Sequence, residues 1–134
     1  MTTYDAQILN AAGVPPVIFD DVMIRRTITG LLSSQVLLKA WFTVKQRFTH
    51  LDEEAILQVE VTTTPTAAGQ ITDDGTGTTS AVVEFRVAGT AAYANVVAGK
   101  SYVYDIQLLL TDGTIGTIEV GTVSWAREVT KARV

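Results

Sequence analysis

Apolar and polar residues alternate most regularly within residues 102–111. A period of two sustained over such a run is typical of a half-buried β-strand, and it predicts that Ile106 and Leu108 belong to the core. Asp112-Gly113 follows directly, and residues 114–120 resume an apolar pattern. Because the two central residues of a tight turn need positive φ, this pair predicts an antiparallel hairpin.

Shorter runs of the same period predict four further strands. They lie within residues 22–28, 35–45, 56–63 and 80–87. Residues 52–55 and 90–97 favour single helical turns, and Gly121, where the apolar phase changes, is interpreted as a bulge or bend. Many short strands joined by turns predict an all-β fold. We expect an immunoglobulin-like or related antiparallel β-sandwich with at most one or two short helical turns.

Length and composition favour one folded domain behind an arm. Of the 134 residues 47% are hydrophobic and 18% are charged, which is the balance of a chain that buries a core. Residues 17–134 are therefore predicted to form a single β-sandwich domain. The first ten or so residues show no clear period. We expect residues 1–16 to form an extended N-terminal arm that lies across a neighbouring molecule or adds to a sheet edge, with a mobile tail as the alternative.

Charge and residue types exclude several kinds of site. The chain has no cysteine, which excludes disulfides, thiolate metal sites and cysteine nucleophiles. The formal net charge is -4 and the basic residues are scattered, so we expect binding neither to nucleic acid nor to an anionic membrane. No apolar run approaches the roughly 20 residues that span a bilayer. The chain also starts without a signal-peptide pattern, and we expect its synthesis in the cytoplasm.

Few residues are available for catalysis or metal binding. His50 is the only histidine, and a zinc site needs about four ligands. The stretch Asp73-Asp74-Gly75 resembles a calcium loop but lacks the third acidic position and the closing glutamate, and an ordinary tight turn uses the same residues. We therefore predict no enzyme activity, no catalytic residue, no metal and no cofactor.

Aromatic and apolar residues are the stronger candidates for a function based on contact. Trp41 lies opposite to Phe42 along its predicted strand, so one of these rings lies off the core. Exposed aromatic residues are enriched at protein contacts, which makes Trp41 and Trp125 candidate protein-contact residues. Ile8 and Val14 join them, because an arm cannot bury these side chains well on its own.

Several stretches resemble a known family of phage proteins. They are residues 39–45, 52–58, 69–71 and 73–75, and above all Tyr102-Val103-Tyr104-Asp105-Ile106-Gln107, Asp112-Gly113, Gly121-Thr122-Val123 and Glu128-Val129-Thr130. In this order they resemble small phage and prophage proteins related to the N-terminal domain of upper baseplate proteins, over residues 17–131. The resemblance implies an immunoglobulin-like or related β-sandwich that is used in virion assembly and has no catalytic signature.

The resemblance implies a structural role in a tailed bacteriophage, in a virion assembled in the host cytoplasm. In upper baseplate proteins this domain anchors to the tail core, and a later region carries receptor-binding proteins. The 134 residues leave no room for that region, so we expect the anchoring module to be used alone. We expect a tail-, baseplate- or neck-associated component that docks other virion proteins, as a homo-oligomer or within a symmetric assembly. The alternatives are a capsid decoration (cement) protein and a carbohydrate-binding adsorption module.

Overall fold

The computed structural model describes residues 5–7, 21–32, 35–47, 49, 54–88 and 92–127. This part of the chain contains β-strands and no α-helix. The strands are β1 (Asp5–Gln7), β2 (Val22–Ile28), β3 (Leu37–Lys45), β4 (Leu57–Val61), β5 (Gly69–Asp73), β6 (Ala81–Val87), β7 (Ser101–Leu110) and β8 (Ile115–Ser124). They form two sheets that enclose one core, which confirms the predicted all-β sandwich.

The larger sheet has the strand order β1-β8-β7-β3-β4, and the smaller sheet has the order β2-β6-β5. Neighbouring strands pair antiparallel, except that β1 pairs parallel with β8. The two sheets meet directly beside β4 and β5, because the Ile71 N–H donates to the Thr62 carbonyl over 2.7 Å. Neither β1 nor β5 was among the strands predicted from the sequence.

The core is built from alternate residues of the strands in both sheets. Along β7 every second side chain is buried, and Ile106 and Leu108 are fully buried, as predicted. Phe42 from the larger sheet packs against Phe85 from the smaller sheet, with ring centroids 6.0 Å apart. Aromatic contacts of this kind fill the space between the sheets and hold them at a fixed distance.

The predicted hairpin is confirmed, with a turn one residue longer than the expected two-residue turn. β7 and β8 pair antiparallel from Ser101 opposite Ser124 to Leu109 opposite Ile115. The turn is closed by two backbone hydrogen bonds, from the Leu110 N–H to the Thr114 carbonyl and from the Gly113 N–H to the Leu110 carbonyl. Gly113 has a φ of 87°, a conformation that glycine adopts without steric cost.

A β-bulge lies at Ile118 and not at Gly121, where the sequence had suggested it. Ile106 pairs with Glu119 and Gln107 pairs with Thr117, so Ile118 is the extra residue of β8. Ile118 and Glu119 are consequently both buried although they are adjacent in the chain. Gly121 sits in the regular ladder opposite Tyr104.

Substitution of Ile106 by alanine tests the assignment of the core face. The side chain is fully buried, so Ile106→Ala is expected to lower the free energy of unfolding by about 2–5 kcal/mol. Ile115→Ala in the same sheet is the matched control, because Ile115 is 64% exposed, and its effect stays within about 0.5 kcal/mol. Equal losses in urea-unfolding experiments would contradict this core.

Candidate functional site

The outer surface of the larger sheet carries Trp41. Because side chains alternate along β3, Phe42 points into the core and Trp41 lies on the opposite, partly exposed surface. Directly paired with Trp41 are Glu60 in β4 and Gln107 in β7, and they share this surface. We call it the Trp41 face, and its residues are Leu38, Lys39, Trp41, Gln58, Glu60, Gln107, Leu109, Ile115 and Thr117.

An open cleft lies beside the indole of Trp41. Its volume is about 170 Å³, and it is lined by Trp41, Gln58, Gln107 and Ile115. Leu38 is 47% exposed at the beginning of β3, and Leu109 of β7 lies between this end of β3 and Ile115 of β8, so apolar surface continues beyond the cleft. On the side of the cleft the aromatic ring is bordered by apolar and uncharged polar groups, a composition found at the centre of protein interfaces.

A hydrogen bond from the indole holds the Trp41 ring in place. The indole Nε1–H donates to Glu60 Oε1 over 2.8 Å, and Lys39 Nζ lies 3.7 Å from the same oxygen. This ion pair is exposed and contributes little to stability. The hydrogen bond from the indole to Glu60, with Lys39 beside it, fixes the orientation of the ring. A ring that is already oriented loses less conformational entropy when a partner binds.

The two glutamines of the cleft are also oriented by neighbours in the sheet. Gln58 Nε2 donates to Thr43 Oγ1 over 3.0 Å, and Gln107 Nε2 donates to Thr117 Oγ1 over 3.4 Å. Each amide also carries a carbonyl oxygen that can accept a hydrogen bond. The cleft therefore combines a flat aromatic surface, an aliphatic side chain and amide groups on a rigid sheet.

Trp125, the second predicted contact residue, lies in the core. It is 2% exposed, and its ring packs edge-on against Tyr93 and Tyr102, with centroid distances of 5.9 and 6.3 Å. The indole is thus occupied with internal packing and is not presented to a partner, which corrects the interpretation of Trp125. Ile8 and Val14, the other two candidates, lie outside the described residues.

The acidic loop forms hydrogen-bonded turns. Asp73 Oδ1 accepts the Gly75 N–H, and Asp74 Oδ1 accepts both the N–H and the hydroxyl of Thr76. These bonds from Thr76 lower the pKa of the Asp74 carboxyl. In the described ranges no three histidine, cysteine or acidic side chains come together as metal ligands, and His50 lies outside those ranges. The same ranges hold no helix that is long and apolar enough to cross a membrane.

Between the sheets lies a buried charged cluster that the sequence did not reveal. Glu119 is fully buried, and its carboxylate accepts hydrogen bonds from Arg26 Nε over 2.7 Å and from Arg26 Nη2 over 3.0 Å. The Tyr104 hydroxyl donates to Glu119 Oε2 over 2.5 Å. The cluster therefore joins β2 of the smaller sheet to β7 and β8 of the larger sheet.

The chemistry of this cluster is structural. Burial of the hydroxyl, followed by its hydrogen bond to the Glu119 carboxylate, raises the pKa of Tyr104. The Glu119 carboxylate accepts hydrogen bonds from two guanidinium nitrogens of Arg26 and from the Tyr104 hydroxyl. Its buried negative charge is therefore balanced by a positive charge in direct contact. A carboxylate held in this way connects the sheets and is not presented to a substrate.

Most residues of the Trp41 face were not predicted as site residues. Gln58 and Gln107 alternate with core residues in the sequence, so their outward direction was readable, but their proximity to Trp41 depends on the strand order β7-β3-β4. The position of Ile115 depends on the bulge in β8. No local sequence signal gives either feature.

Comparisons with known proteins identified no relative of this chain. No protein-family model matches the chain, and searches of curated proteins and of solved structures gave no match.

Replacement of Glu119 by glutamine tests the buried cluster. Glu119→Gln removes the negative charge that Glu119 presents to the Arg26 guanidinium, and we expect a loss of about 3 kcal/mol in the free energy of unfolding. The value is at the low end for a buried pair because the Arg26 side chain is 26% exposed. Glu60→Gln in the exposed pair with Lys39 is the control, with an expected loss below about 1 kcal/mol. Similar losses for both variants in chemical denaturation would refute a special role for Glu119.

The raised pKa of Tyr104 predicts a loss of stability at alkaline pH. An unfolded tyrosine ionises near pH 10, while folded Tyr104 keeps its proton to higher pH. The contribution of protonated Tyr104 to the free energy of unfolding is fully present below pH 10. It is lost as the pH rises further, by up to about 1.4 kcal/mol per pH unit. Urea unfolding between pH 9 and about 11.5 should show a shallower decline in Tyr104→Phe than in the unaltered protein. Parallel declines would contradict the assignment.

Proposed function

We propose that this protein is a structural component of a tailed bacteriophage virion, associated with the tail, baseplate or neck, that docks other virion proteins. The observation that carries the proposal is the Trp41 face, a preorganised aromatic and amide surface on a rigid sheet. The resemblance of the sequence to the N-terminal domain of upper baseplate proteins supplies the context. The protein acts as a homo-oligomer or within a symmetric assembly, which forms in the host cytoplasm.

The chemistry of the Trp41 face supports a protein partner. Burying an exposed isoleucine and the open side of an indole removes apolar surface from water, which is the main driving force of association. Lys39 and Glu60 lie beside the cleft, where charges select the partner more than they strengthen binding. The matching partner surface has an apolar side chain that enters the cleft, flanked by groups that hydrogen-bond to Gln58 and Gln107.

The polar interior supports a structural role over a catalytic one. Within the described ranges several titratable side chains are buried; two of them, Glu119 and Tyr104, bind each other, and Glu119 also binds Arg26. Enzymes present groups with perturbed pKa values in clefts that a substrate can enter. Here the group with the raised pKa, Tyr104, lies between the sheets, and the cleft beside Trp41 is lined by uncharged side chains.

A carbohydrate-binding adsorption module is the second candidate, because the cleft pairs an indole with two amides. A sugar ring can stack on an aromatic face, while amide groups can hydrogen-bond its hydroxyls. The cleft is open and has a volume of about 170 Å³, and Trp41 is the one aromatic ring in its lining, so it offers a stacking surface for one sugar ring. A decoration protein on the capsid would use the same face against another protein, and the position in the particle distinguishes the two.

Variants of the Trp41 face test the docking role. Trp41→Ser combined with Ile115→Ser removes the two apolar elements of the cleft, and we expect at least a roughly tenfold loss of incorporation into particles of the phage that encodes the chain. The control is Val97→Ser, because Val97 is 58% exposed outside this face. Incorporation is measured by mass spectrometry of purified particles, after circular dichroism has shown that each variant is folded.

Two results would overturn the docking proposal. The first is the absence of the unaltered protein from purified particles. The second is normal incorporation of the double variant. Binding of the unaltered protein to a glycan array, lost in Trp41→Ser, would instead support the carbohydrate-binding module.

A further inference from the structure

We propose that the outer edge of β8 is an exchangeable strand site, which takes residues 5–7 either from its own chain or from a second copy of this chain. The inference deepens the oligomer part of the proposed function. It rests on the pairing of β1 with β8 and is independent of the Trp41 face.

The pairing of β1 with β8 is short and is defined by the backbone. Asp5, Ala6 and Gln7 lie opposite Val120, Gly121 and Thr122 in a parallel ladder. None of the three residues of β1 is a large apolar residue. In strand addition the main-chain hydrogen bonds provide the affinity, and they are the same whichever chain supplies the strand.

Most of the β8 edge extends beyond the strand that covers it. β8 runs from Ile115 to Ser124, while β1 pairs with residues 120–122. In the described part of the chain no other strand pairs on this side of β8. An edge strand presents unpaired backbone groups, and these favour the addition of an extended segment from another molecule.

The connection from β1 to β2 is longer than the closed chain requires. Fourteen residues separate Gln7 from Val22, and such a segment can span up to about 46–50 Å. The two sheets of a sandwich lie only about 10 Å apart, and Arg26 of β2 is bonded to Glu119, the residue next to Val120. The connection therefore has enough length to deliver β1 to the β8 edge of an adjacent copy.

Concentration decides which chain fills the edge. A connection of fourteen residues keeps the strand near its own edge, at an effective concentration in the millimolar range. Closed monomers therefore predominate in dilute solution, and exchange becomes appreciable when copies reach comparable concentrations, as they do side by side in an assembly. Exchange needs no contact that the monomer lacks.

Engineered thiols test the exchange directly, because the chain contains no cysteine. Asp5→Cys and Val120→Cys lie opposite each other in the ladder. We expect the two single variants, mixed near millimolar concentration under mild oxidation, to form a disulfide heterodimer. Its yield should exceed by at least about tenfold that of Asp5→Cys mixed with Thr117→Cys, since residue 117 lies about 10 Å further along β8, beyond disulfide reach.

The double variant Asp5→Cys/Val120→Cys completes the test. In dilute solution it should form an internal disulfide, which reports β1 at the β8 edge. If the double variant forms the internal disulfide but the mixed single variants give no more heterodimer than the control, the strand stays with its own chain. If neither disulfide forms, β1 does not occupy this edge. Either result overturns the proposal. Addition of Trp41→Ser should leave the yields unchanged, so failure of the docking role remains distinguishable.

Discussion

The bulge at Ile118 decides which residues of β8 face the core and which face outward. A regular ladder continuing from the Ile106–Glu119 pair would turn Ile115 towards the core. The extra residue shifts the phase, so that Glu119 points inward while Ile115, opposite Leu109, lies outward beside Trp41. The same irregularity therefore places the buried carboxylate between the sheets and completes the candidate contact surface.

The two sheets are connected at both sides of the sandwich, by the buried carboxylate on one side and by a backbone hydrogen bond on the other. Beside β4 and β5 the sheets are joined by a backbone hydrogen bond from Ile71 to Thr62. On the β2 side they are joined by the side chains of Arg26, Glu119 and Tyr104. A charged group taken out of water is tolerated only when it is paired and hydrogen-bonded, which makes this connection specific in geometry. The outer surface of the larger sheet is then held on a sandwich fixed at both sides.

The features that could be predicted from the sequence are those that follow from the period of the apolar residues and from the residue types in turns. The hairpin of β7 and β8, the burial of Ile106 and Leu108 and the all-β class follow from a period of two and from Asp112-Gly113. β5 was missed because Ile71 is its only large apolar residue, which leaves too little pattern to detect. The inward direction of Glu119 and the burial of Trp125 depend on the bulge and on packing between distant segments, which local patterns do not encode.

The two tryptophans allow a direct test of the proposal that a partner protein covers the Trp41 face in a virion. Hydroxyl-radical footprinting compares the oxidation of each indole in the isolated protein and in the purified particle. Trp41 is partly exposed and Trp125 is buried, so Trp125 provides an internal reference. We expect Trp41 to be oxidised in the isolated protein and protected in the particle, while Trp125 reacts weakly in both. Equal oxidation of Trp41 in the two states would contradict the proposal.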